Sequence, residues 1–227
     1  MVPTNILQRT FRIKYGNNIG TCFTVDVDSK QYIVTARHVI NGIAKTDTVA
    51  LQHDKQWKEI SIKTIGLGSN NIDIAVLAPP RQISPTHPLI PTTADLFLSQ
   101  DVYFLGFPYG LQIEVGPELN SSFPLPLVKK GIISSFEFQD RILSSMLLDG
   151  HNNPGFSGGP VYYSPAGTSE SRVAGVISGY RYEWESVFYE GQDAGFKYQS
   201  NTGIIIAWSI NHALNIIQNN PIGIPIS

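Results

Sequence analysis

Short runs rich in β-branched and aromatic residues alternate with turn-forming residues along most of this 227-residue chain. Runs of this kind, bounded by Gly, Asn, Asp or Pro, are typical of β-strands. In the first part of the chain the predicted strands are residues 10–15, 20–27, 31–35, 48–51, 57–65 and 72–78. In the second part they are residues 101–107, 127–138, 141–148, 159–163, 172–180 and 203–207. No long helical period interrupts these runs, so the chain is predicted to be all-β.

A proline-rich segment separates the two groups of predicted strands. Residues 79–95 contain five prolines, which cannot donate hydrogen bonds to a sheet, and we interpret the segment as a linker. After the last predicted strand, apolar residues in 209–221 fall on one face of an amphipathic helix with Ser209 as the predicted N-cap. We therefore expect a double barrel, with one β-barrel in residues 1–95 and a second in residues 96–227 that ends in a C-terminal α-helix.

Composition narrows the class of protein and of partner. The chain is 42% hydrophobic and 15% charged, as expected of a folded globular protein. Its formal net charge is −2 and its longest basic run is the pair Lys129-Lys130, so no nucleic-acid partner is expected. No segment reaches the roughly 18 apolar residues of a membrane span, and the N-terminal residues lack a signal-peptide pattern. We expect a cytoplasmic protein with no membrane partner, cofactor or metal, and the oligomeric state stays open.

The single cysteine bears on the redox compartment and on reactivity. Cys22 excludes an internal disulfide, which fits a reducing compartment or a fold that needs no covalent cross-links. It lies in the strand-like run 20–25, so we predict a small buried hydrophobe rather than a reactive thiol.

One turn, residues 149–162, places the single hydroxyl of Ser157 among four glycines and two prolines. Gly155 can adopt backbone angles that a Cβ forbids, so the N–H groups around Ser157 can converge beside its Oγ. Such an arrangement is an oxyanion hole next to a nucleophile. The alternative interpretation is a glycine-rich surface turn that leads into the strand at 160–163.

A serine hydroxyl is a weak nucleophile and needs a base that a third group orients. His38 follows the apolar strand 31–35 and lies just past its end. Asp73 leads into the apolar run 74–77, where a buried carboxylate needs a hydrogen-bonding partner, and a histidine would serve. Taken alone, each residue is more often structural, His38 as a strand-edge residue and Asp73 as a turn residue. Together with Ser157 they indicate a hydrolytic site.

The segments that contain these residues resemble the three catalytic motifs of trypsin-like serine peptidases, in the same chain order of His, Asp and Ser. The most similar branch is that of the HtrA/Deg-type proteases, and the resemblance extends from about residue 10 to about residue 218. The matching segments are 34–39, 73–77, 102–110, 153–160 and 203–208. The chain departs from the family at Arg37, where a small residue is usual, and in having neither a following PDZ domain nor a preceding export signal.

The resemblance implies two six-stranded antiparallel β-barrels, a C-terminal α-helix and serine endopeptidase activity on polypeptides through an acyl-enzyme. It implies Ser157 as nucleophile, His38 as general base and then acid, and Asp73 as the group that orients and stabilises the imidazole. The N–H groups of Gly155 and Ser157 would form the oxyanion hole. In the digestive branch an aspartate precedes the nucleophile and binds a newly cut N-terminal ammonium. Phe156 stands there in this chain, so no proteolytic activation is expected.

The resemblance also implies a substrate-binding strand and a specificity pocket. Ser178, Gly179 and Tyr180 match the strand that pairs with the substrate backbone. The base of the pocket, six residues before the nucleophile, is His151, and Gly203 would leave one wall open. Because the base carries no acid and Tyr180 narrows the mouth, we expect small to medium uncharged side chains at the cleaved position.

Two other functions fit part of the pattern. Residues 155–159 also satisfy the G-x-S-x-G elbow of α/β-hydrolase esterases, and Asp193 and His212 follow in that fold's order. The elbow requires a helix after the serine, and the strand-like run 160–163 disfavours it. A degenerate protease-fold protein would instead only bind extended partner segments at a sheet edge. The intact His, Asp and Ser argue against that function.

The run 183–199 is rich in Tyr, Glu and Gly and carries no recognisable motif. We predict a solvated loop near the site, because functional loops usually lie on the surface beside the residues that they serve.

Overall fold

The chain folds into two β-sheets, each of which curls until two of its strands pair and close a ring. The computed structural model describes residues 2–53, 56–69, 71–111 and 119–226. The first group of elements is α1 (Thr4–Leu7), β1 (Thr10–Tyr15), β2 (Asn18–Val27), β3 (Lys30–Thr35), β4 (Thr46–His53), β5 (Gln56–Leu67), β6 (Ala75–Ala78) and β7 (Ile90–Pro91). The second group is β8 (Asp101–Gly106), β9 (Leu127–Gln139), β10 (Ile142–Asp149), β11 (Pro160–Tyr163), β12 (Arg172–Tyr189), β13 (Gln192–Ser209), α2 (Asn211–Asn219) and β14 (Ile224–Pro225).

Both sheets close into antiparallel barrels of six strands. In the first sheet the order is β14-β3-β2-β1-β4-β5-β6, and β3 also pairs with β6, which closes the ring of β1 to β6. In the second the order is β11-β8-β9-β10-β13-β12-β7, and β11 also pairs with β12. Closure leaves few strand edges open to other chains. The predicted all-β double barrel with a C-terminal helix is confirmed.

Each half of the chain contributes one short strand to the sheet of the other half. β7 pairs in parallel with β12 of the second sheet, and β14 pairs with β3 of the first sheet. The proline-rich segment 79–95 also lies against the first barrel, where the Gln31 side chain accepts the N–H groups of Ile83 and Ser84 at 2.8 and 3.2 Å. These hydrogen bonds attach the connection between the barrels to the barrel that precedes it.

The two barrels share an apolar core in addition to their own. One cluster of buried side chains contains Val34 and Val76 of the first barrel, Val176 of the second, and Ala213 and Ile217 of α2. The predicted helix is confirmed, and the Ser209 hydroxyl accepts the N–H of Asn211 at 3.2 Å although Ile210 occupies the N-cap position. Within the described ranges, no helix is both long and apolar enough to cross a membrane.

Cys22 lies in the core of the first barrel and is fully buried. Burial raises the pKa of its thiol far above the ordinary value, because the charged thiolate is poorly solvated there. The prediction that Cys22 is a buried residue is confirmed.

The predicted loop at 183–199 is wrong, because these residues extend β12 and β13 into a long hairpin. Pairing continues from Tyr182 opposite Asn201 to Tyr189 opposite Gln192, and most of these residues are exposed. We call residues 181–201 the arm. Its aromatic residues have high strand propensity, which the interspersed Glu and Gly residues obscured in the sequence.

Candidate active site

His38 is held by a short turn at the end of β3. A 3₁₀ turn at Arg37–Ile40 follows directly, and the buried side chains of Val39 and Ile40 anchor it in the barrel core. The Arg37 guanidinium donates to the Gly68 carbonyl at 2.9 Å and fixes the other side of the turn. The His38 side chain is 52% exposed, so its ring can reach solvent and a bound ligand.

Asp73 is brought to His38 by the pairing of β3 with β6. Thr35 lies opposite Ala75, so the turn that follows β3 and carries His38 lies beside the segment that precedes β6 and carries Asp73. The His38 N–H donates to Asp73 Oδ1 at 2.8 Å, and His38 Nδ1 lies 2.6 Å from Asp73 Oδ2. The carboxylate thus fixes both the backbone and the ring of His38.

Asp73 is held as a carboxylate. Burial by itself would raise its pKa. This effect is outweighed by hydrogen bonds from the His38 side chain and from the Ser178 hydroxyl, and by the charge and the backbone N–H of His38. Together they lower the pKa of Asp73 below its ordinary value. The side chain is 18% exposed, so these hydrogen bonds act with little competition from water. Asp73 therefore stays ionised across the neutral range.

The glycine-rich turn docks on the first barrel through its backbone. Gly158 has φ +85°, and a Cβ there would lie 2.0 Å from the Thr21 carbonyl oxygen, so a side chain does not fit. The Ser157 carbonyl accepts the Thr21 N–H at 2.8 Å. The turn that carries Ser157 is therefore packed directly against β2, beside the strand that leads to His38.

Ser178 joins the carboxylate to the candidate nucleophile. It is the extra residue of a β-bulge, because Ile177 pairs with Ala207 whereas Gly179 pairs with Ile206. A bulge redirects the groups of the extra residue. The Ser178 hydroxyl donates to Asp73 Oδ2 at 2.6 Å, and its carbonyl accepts the Ser157 hydroxyl at 3.0 Å.

The Ser157 hydroxyl has one proton, and in this arrangement it donates a hydrogen bond to the Ser178 carbonyl rather than to His38. Rotation about the Cα–Cβ bond of Ser157 releases that proton. The cost is one hydrogen bond, about 0.5–1.5 kcal/mol.

Two backbone donors beside Ser157 are free to bind an anion. The Pro154 carbonyl accepts the Tyr109 N–H at 3.2 Å, and because the peptide is trans the Gly155 N–H points the opposite way. Gly155 has φ +108°, and a Cβ there would lie 2.6 Å from the Phe107 carbonyl oxygen. In the described part of the chain, the N–H groups of Gly155 and Ser157 have no hydrogen-bond acceptor, whereas Phe156 N–H donates to Asn153 at 3.3 Å.

The loop before Ser157 is held by one aromatic ring and one ammonium group. Phe156 is fully buried and contacts Phe104 edge to face, with 5.1 Å between ring centroids. Lys129 Nζ lies 5.6 Å from the Phe156 ring centroid and donates to the His151 carbonyl and to Asn153 Oδ1, each at 2.6 Å. Desolvation lowers the pKa of Lys129. Sequence analysis did not assign Lys129 to the site, because nothing in the strand LVKKGIISSFEFQ distinguishes Lys129 from its neighbour Lys130.

The residues of the predicted pocket lie on three adjacent segments. His151 is exposed, and the Gly150 N–H before it donates to the Gly203 carbonyl at 2.9 Å. Ile205, the partner of Tyr180 in the sheet, would contact a Cβ on Gly150 at 3.2 Å. A Cβ on Gly203 would meet only the Gly150 carbonyl oxygen, at 3.8 Å, so that side is open. A Cβ on Gly179 would meet nothing within 4 Å.

The α/β-hydrolase alternative is wrong. The serine is followed by tight turns and then by strand β11, where the elbow requires a helix. His212 Nε2–H donates a hydrogen bond to the Ser144 carbonyl, 2.9 Å away in the second barrel, and Asp193 lies near the exposed tip of the arm. Neither residue belongs to the cluster around Ser157.

Comparison with known proteins agrees with this fold. Two solved structures of the Rv3671c protease, both described as inactive forms and one stated to be from M. tuberculosis, are 17% and 15% identical to the chain, with TM-scores of 0.58 and 0.57. They match over 95% and 98% of this chain and 90% and 91% of their own. A variant of the HtrA-type protease AlgW with a tripeptide is 20% identical, with a TM-score of 0.59, over 95% of this chain and 61% of its own.

These identities establish the shared fold alone, and no protein with a curated description matches the sequence. The sequence itself supplies the family. Residues 20–183, most of the chain, match the model of the trypsin-like peptidase domain. That segment contains most strands of both barrels together with His38, Asp73 and Ser157, and the chain therefore belongs to the family of trypsin-like peptidase domains.

Proposed function

We propose that the protein is a serine endopeptidase that hydrolyses peptide bonds in polypeptides through an acyl-enzyme on Ser157. The observation that carries this proposal is the position of the Asp73 carboxylate. It is hydrogen-bonded to the ring and the backbone of His38 and, through Ser178, is connected to the hydroxyl of Ser157. A nucleophile, a base and an orienting carboxylate are the parts that acyl transfer requires.

The chemistry follows from the orientation of the imidazole. With Nδ1–H donated to Asp73, neutral His38 keeps a lone pair on Nε2, so it can accept the Ser157 proton after the hydroxyl rotates. Ser157 Oγ then bonds to the substrate carbonyl carbon, whose oxygen becomes an oxyanion. The imidazolium gives its proton to the leaving amine as the C–N bond breaks, which leaves an ester on Ser157. Water repeats the cycle with His38 as base, and the acid product leaves.

The oxyanion needs donors that are in place before the reaction. The N–H groups of Gly155 and Ser157 are such donors, since both belong to a turn whose shape the surrounding hydrogen bonds define. Removal of one donor of this type typically lowers turnover about 10²–10³-fold. The burial of Phe156 and the contacts of Lys129 support this loop, since Phe156 cannot form an ion pair with an ammonium group.

A fluorophosphonate probe tests the proposal directly, because such reagents label a serine only when it is activated. We expect labelling at Ser157 in the native protein, with loss of labelling in Ser157→Ala and His38→Ala. A module that only binds extended segments at a sheet edge would keep an ordinary, unreactive serine at this position. Absence of labelling in the native protein would overturn the endopeptidase proposal in favour of that function.

The cleavage preference is expected to be for small to medium uncharged side chains. The predicted pocket base, His151, carries no carboxylate, and its carbonyl already binds the Lys129 ammonium, whose charge opposes a basic side chain. Gly203 leaves space on one side, and the half-buried Tyr180 narrows another. Mass spectrometry of a digested peptide library checks this preference. Products that end mainly in Arg or Lys would contradict it.

Lys129→Met is expected to lower kcat about 10- to 100-fold, because hydrogen bonds to a charged group are worth about 1.5–3 kcal/mol. Lys129→Arg keeps a cation over the Phe156 ring and is expected to recover part of the loss. Lys130→Met is the matched control, since Lys130 is the next residue of β9 but pairs with Asp101 at the surface, 2.8 Å away. Equal kcat values for Lys129→Met and Lys130→Met would contradict the prediction.

A further inference from the structure

One edge of β12 becomes unpaired at Ser178, the residue whose carbonyl contacts Ser157. Up to Ile177 this edge is occupied, because Ile177 exchanges hydrogen bonds with the turn: its carbonyl accepts Gly158 N–H at 2.7 Å and its N–H donates to the Gly159 carbonyl at 2.8 Å. From Ser178 onward, β12 pairs with β13 on its other side and with no further strand in the described ranges. An unpaired strand edge is a template for the backbone of an extended chain.

The side chains along this edge form one row. Side chains two residues apart in a strand lie on the same face, which places Tyr180, Tyr182 and Trp184 on one face of β12, beyond the bulge at Ser178. Beyond the bulge at Ser178, the irregularities in the pairing of β12 with β13 come from additional residues in β13. The side chains of β12 therefore keep alternating between its two faces. The rings of Tyr182 and Trp184 touch edge to face, with 6.3 Å between centroids and an interplanar angle of 88°. The row thus leads from the candidate nucleophile out along the arm.

The outer part of this row is exposed to solvent. Tyr182 is 53% exposed and Trp184 is 60% exposed. Large aromatic side chains left exposed together indicate a binding surface, and Trp and Tyr are the residues that most often dominate binding energy. The arm carries four acidic and two basic residues, a net charge of −2. An apolar segment with neutral or basic flanks complements such a surface.

We infer that the arm extends the substrate-binding edge and binds the part of an extended polypeptide that lies several residues N-terminal to the scissile bond. This inference rests on the proposed function. Because β11 and β13 both run antiparallel to β12, an added segment is assigned the same orientation. The scissile bond lies at the Ser178 end, so the antiparallel substrate continues toward its own N-terminus along the arm.

The length of the strand defines the required substrate. Trp184 is six residues beyond Ser178. At about 3.3 Å per residue this separation is about 20 Å, so a substrate reaches Trp184 only if it has about six residues before the scissile bond. The occupant is therefore an unfolded or extended polypeptide with apolar side chains in that stretch. The arm selects long substrates over short peptides.

The test compares peptides that differ only in length. One has three residues before the scissile bond, a second has nine with apolar residues in the added stretch, and a third carries the same addition after the bond. We expect the native protein to cleave the second peptide with about tenfold higher kcat/KM than the first, an effect within reach of two aromatic contacts. In the double variant Tyr182→Ser and Trp184→Ser this advantage is expected to vanish, with cleavage of the short peptide unchanged.

Phe138→Ser is the control, because Phe138 is an exposed aromatic residue of β9 outside the arm, and it is expected to keep the advantage of the long peptide. The inference is overturned if the double variant keeps that advantage, or if the third peptide benefits instead of the second. A double variant that changes only the sedimentation coefficient would show that the aromatic row joins two copies of the chain, which also overturns it.

Failure of the proposed function is distinguishable from failure of this inference. If the native protein cleaves no peptide, the endopeptidase proposal fails. Fluorescence anisotropy with Ser157→Ala then still decides the arm's role. Tighter binding of the long peptide than of the short one, lost on removal of Tyr182 and Trp184, supports the inference, and equal binding overturns it.

Discussion

Ser157→Ala is expected to abolish peptide hydrolysis while leaving the fold intact. The substitution removes the atom that would bond to the substrate, so at most the residual catalysis from binding and the oxyanion donors is expected, ~10³–10⁴-fold over the uncatalysed reaction. The turn should persist, because its shape depends on Gly155 and Gly158 and on the hydrogen bond from Thr21 to the Ser157 carbonyl. The lost hydroxyl contributes one hydrogen bond to Ser178, worth about 0.5–1.5 kcal/mol.

Initial rates on an unfolded protein substrate and the midpoint of thermal unfolding check both parts of this expectation. Ser134→Ala, a change of the same chemistry at an exposed position of β9, is the matched control and is expected to alter neither quantity. Hydrolysis by Ser157→Ala at a rate comparable with that of the control would eliminate Ser157 as the nucleophile.

Asp73→Asn is expected to lower kcat by about 10⁴-fold near neutral pH, the loss typical when the orienting carboxylate of such a triad becomes an amide. The carboxylate accepts hydrogen bonds from the His38 ring, the His38 backbone and the Ser178 hydroxyl. An amide has one acceptor oxygen and one donor NH₂ group, so it cannot accept all three. The NH₂ group would favour the tautomer of His38 that has its lone pair on Nδ1, which removes the base from Nε2.

The same substitution is expected to change the dependence of stability on pH. Because the folded protein lowers the pKa of Asp73, its ionised form stabilises the fold above the unfolded-state pKa of about 3.9, and this contribution is lost as the pH falls through the lower, folded-state pKa. The difference in unfolding free energy between the native protein and Asp73→Asn should therefore shrink in acid. Urea unfolding at several pH values measures it.

Asp47→Asn is the matched control for both measurements of Asp73. Hydrogen bonds from the N–H groups of Ala44 and Thr48, with one from the Tyr15 hydroxyl, lower the pKa of Asp47, but it lies in β4, outside the site. Its substitution is expected to leave turnover unchanged. Similar kcat values for Asp73→Asn and Asp47→Asn would show that Asp73 has only a structural role.

The sequence by itself determined the features that depend on local pattern. The strands β2 and β3 were predicted from their residue types, and the turn between them is of a kind that sequence favours, because Asp28 and Ser29 tolerate its left-handed angles, φ +49° and +57°. The C-terminal helix followed from its apolar period, and the tight turn at Ser157 from an unusual density of glycine. Local pattern failed at the arm, where aromatic strand residues are mixed with charges and the hairpin packs on no core that would impose strict alternation.

Only the tertiary structure decided which side chains meet. The contact between His38 and Asp73 depends on the register of β3 with β6, and that between Ser157 and Ser178 on a one-residue bulge in β12. The position of Lys129 beneath Phe156, and the open edge that runs from Ser178 into the arm, also depend on strand neighbours far apart in the chain. Such pairings arise from the closure of each barrel, in which the burial of all the strands together selects one register. A one-residue slip of a strand turns its side chains to the opposite face, and no local stretch of sequence carries that information.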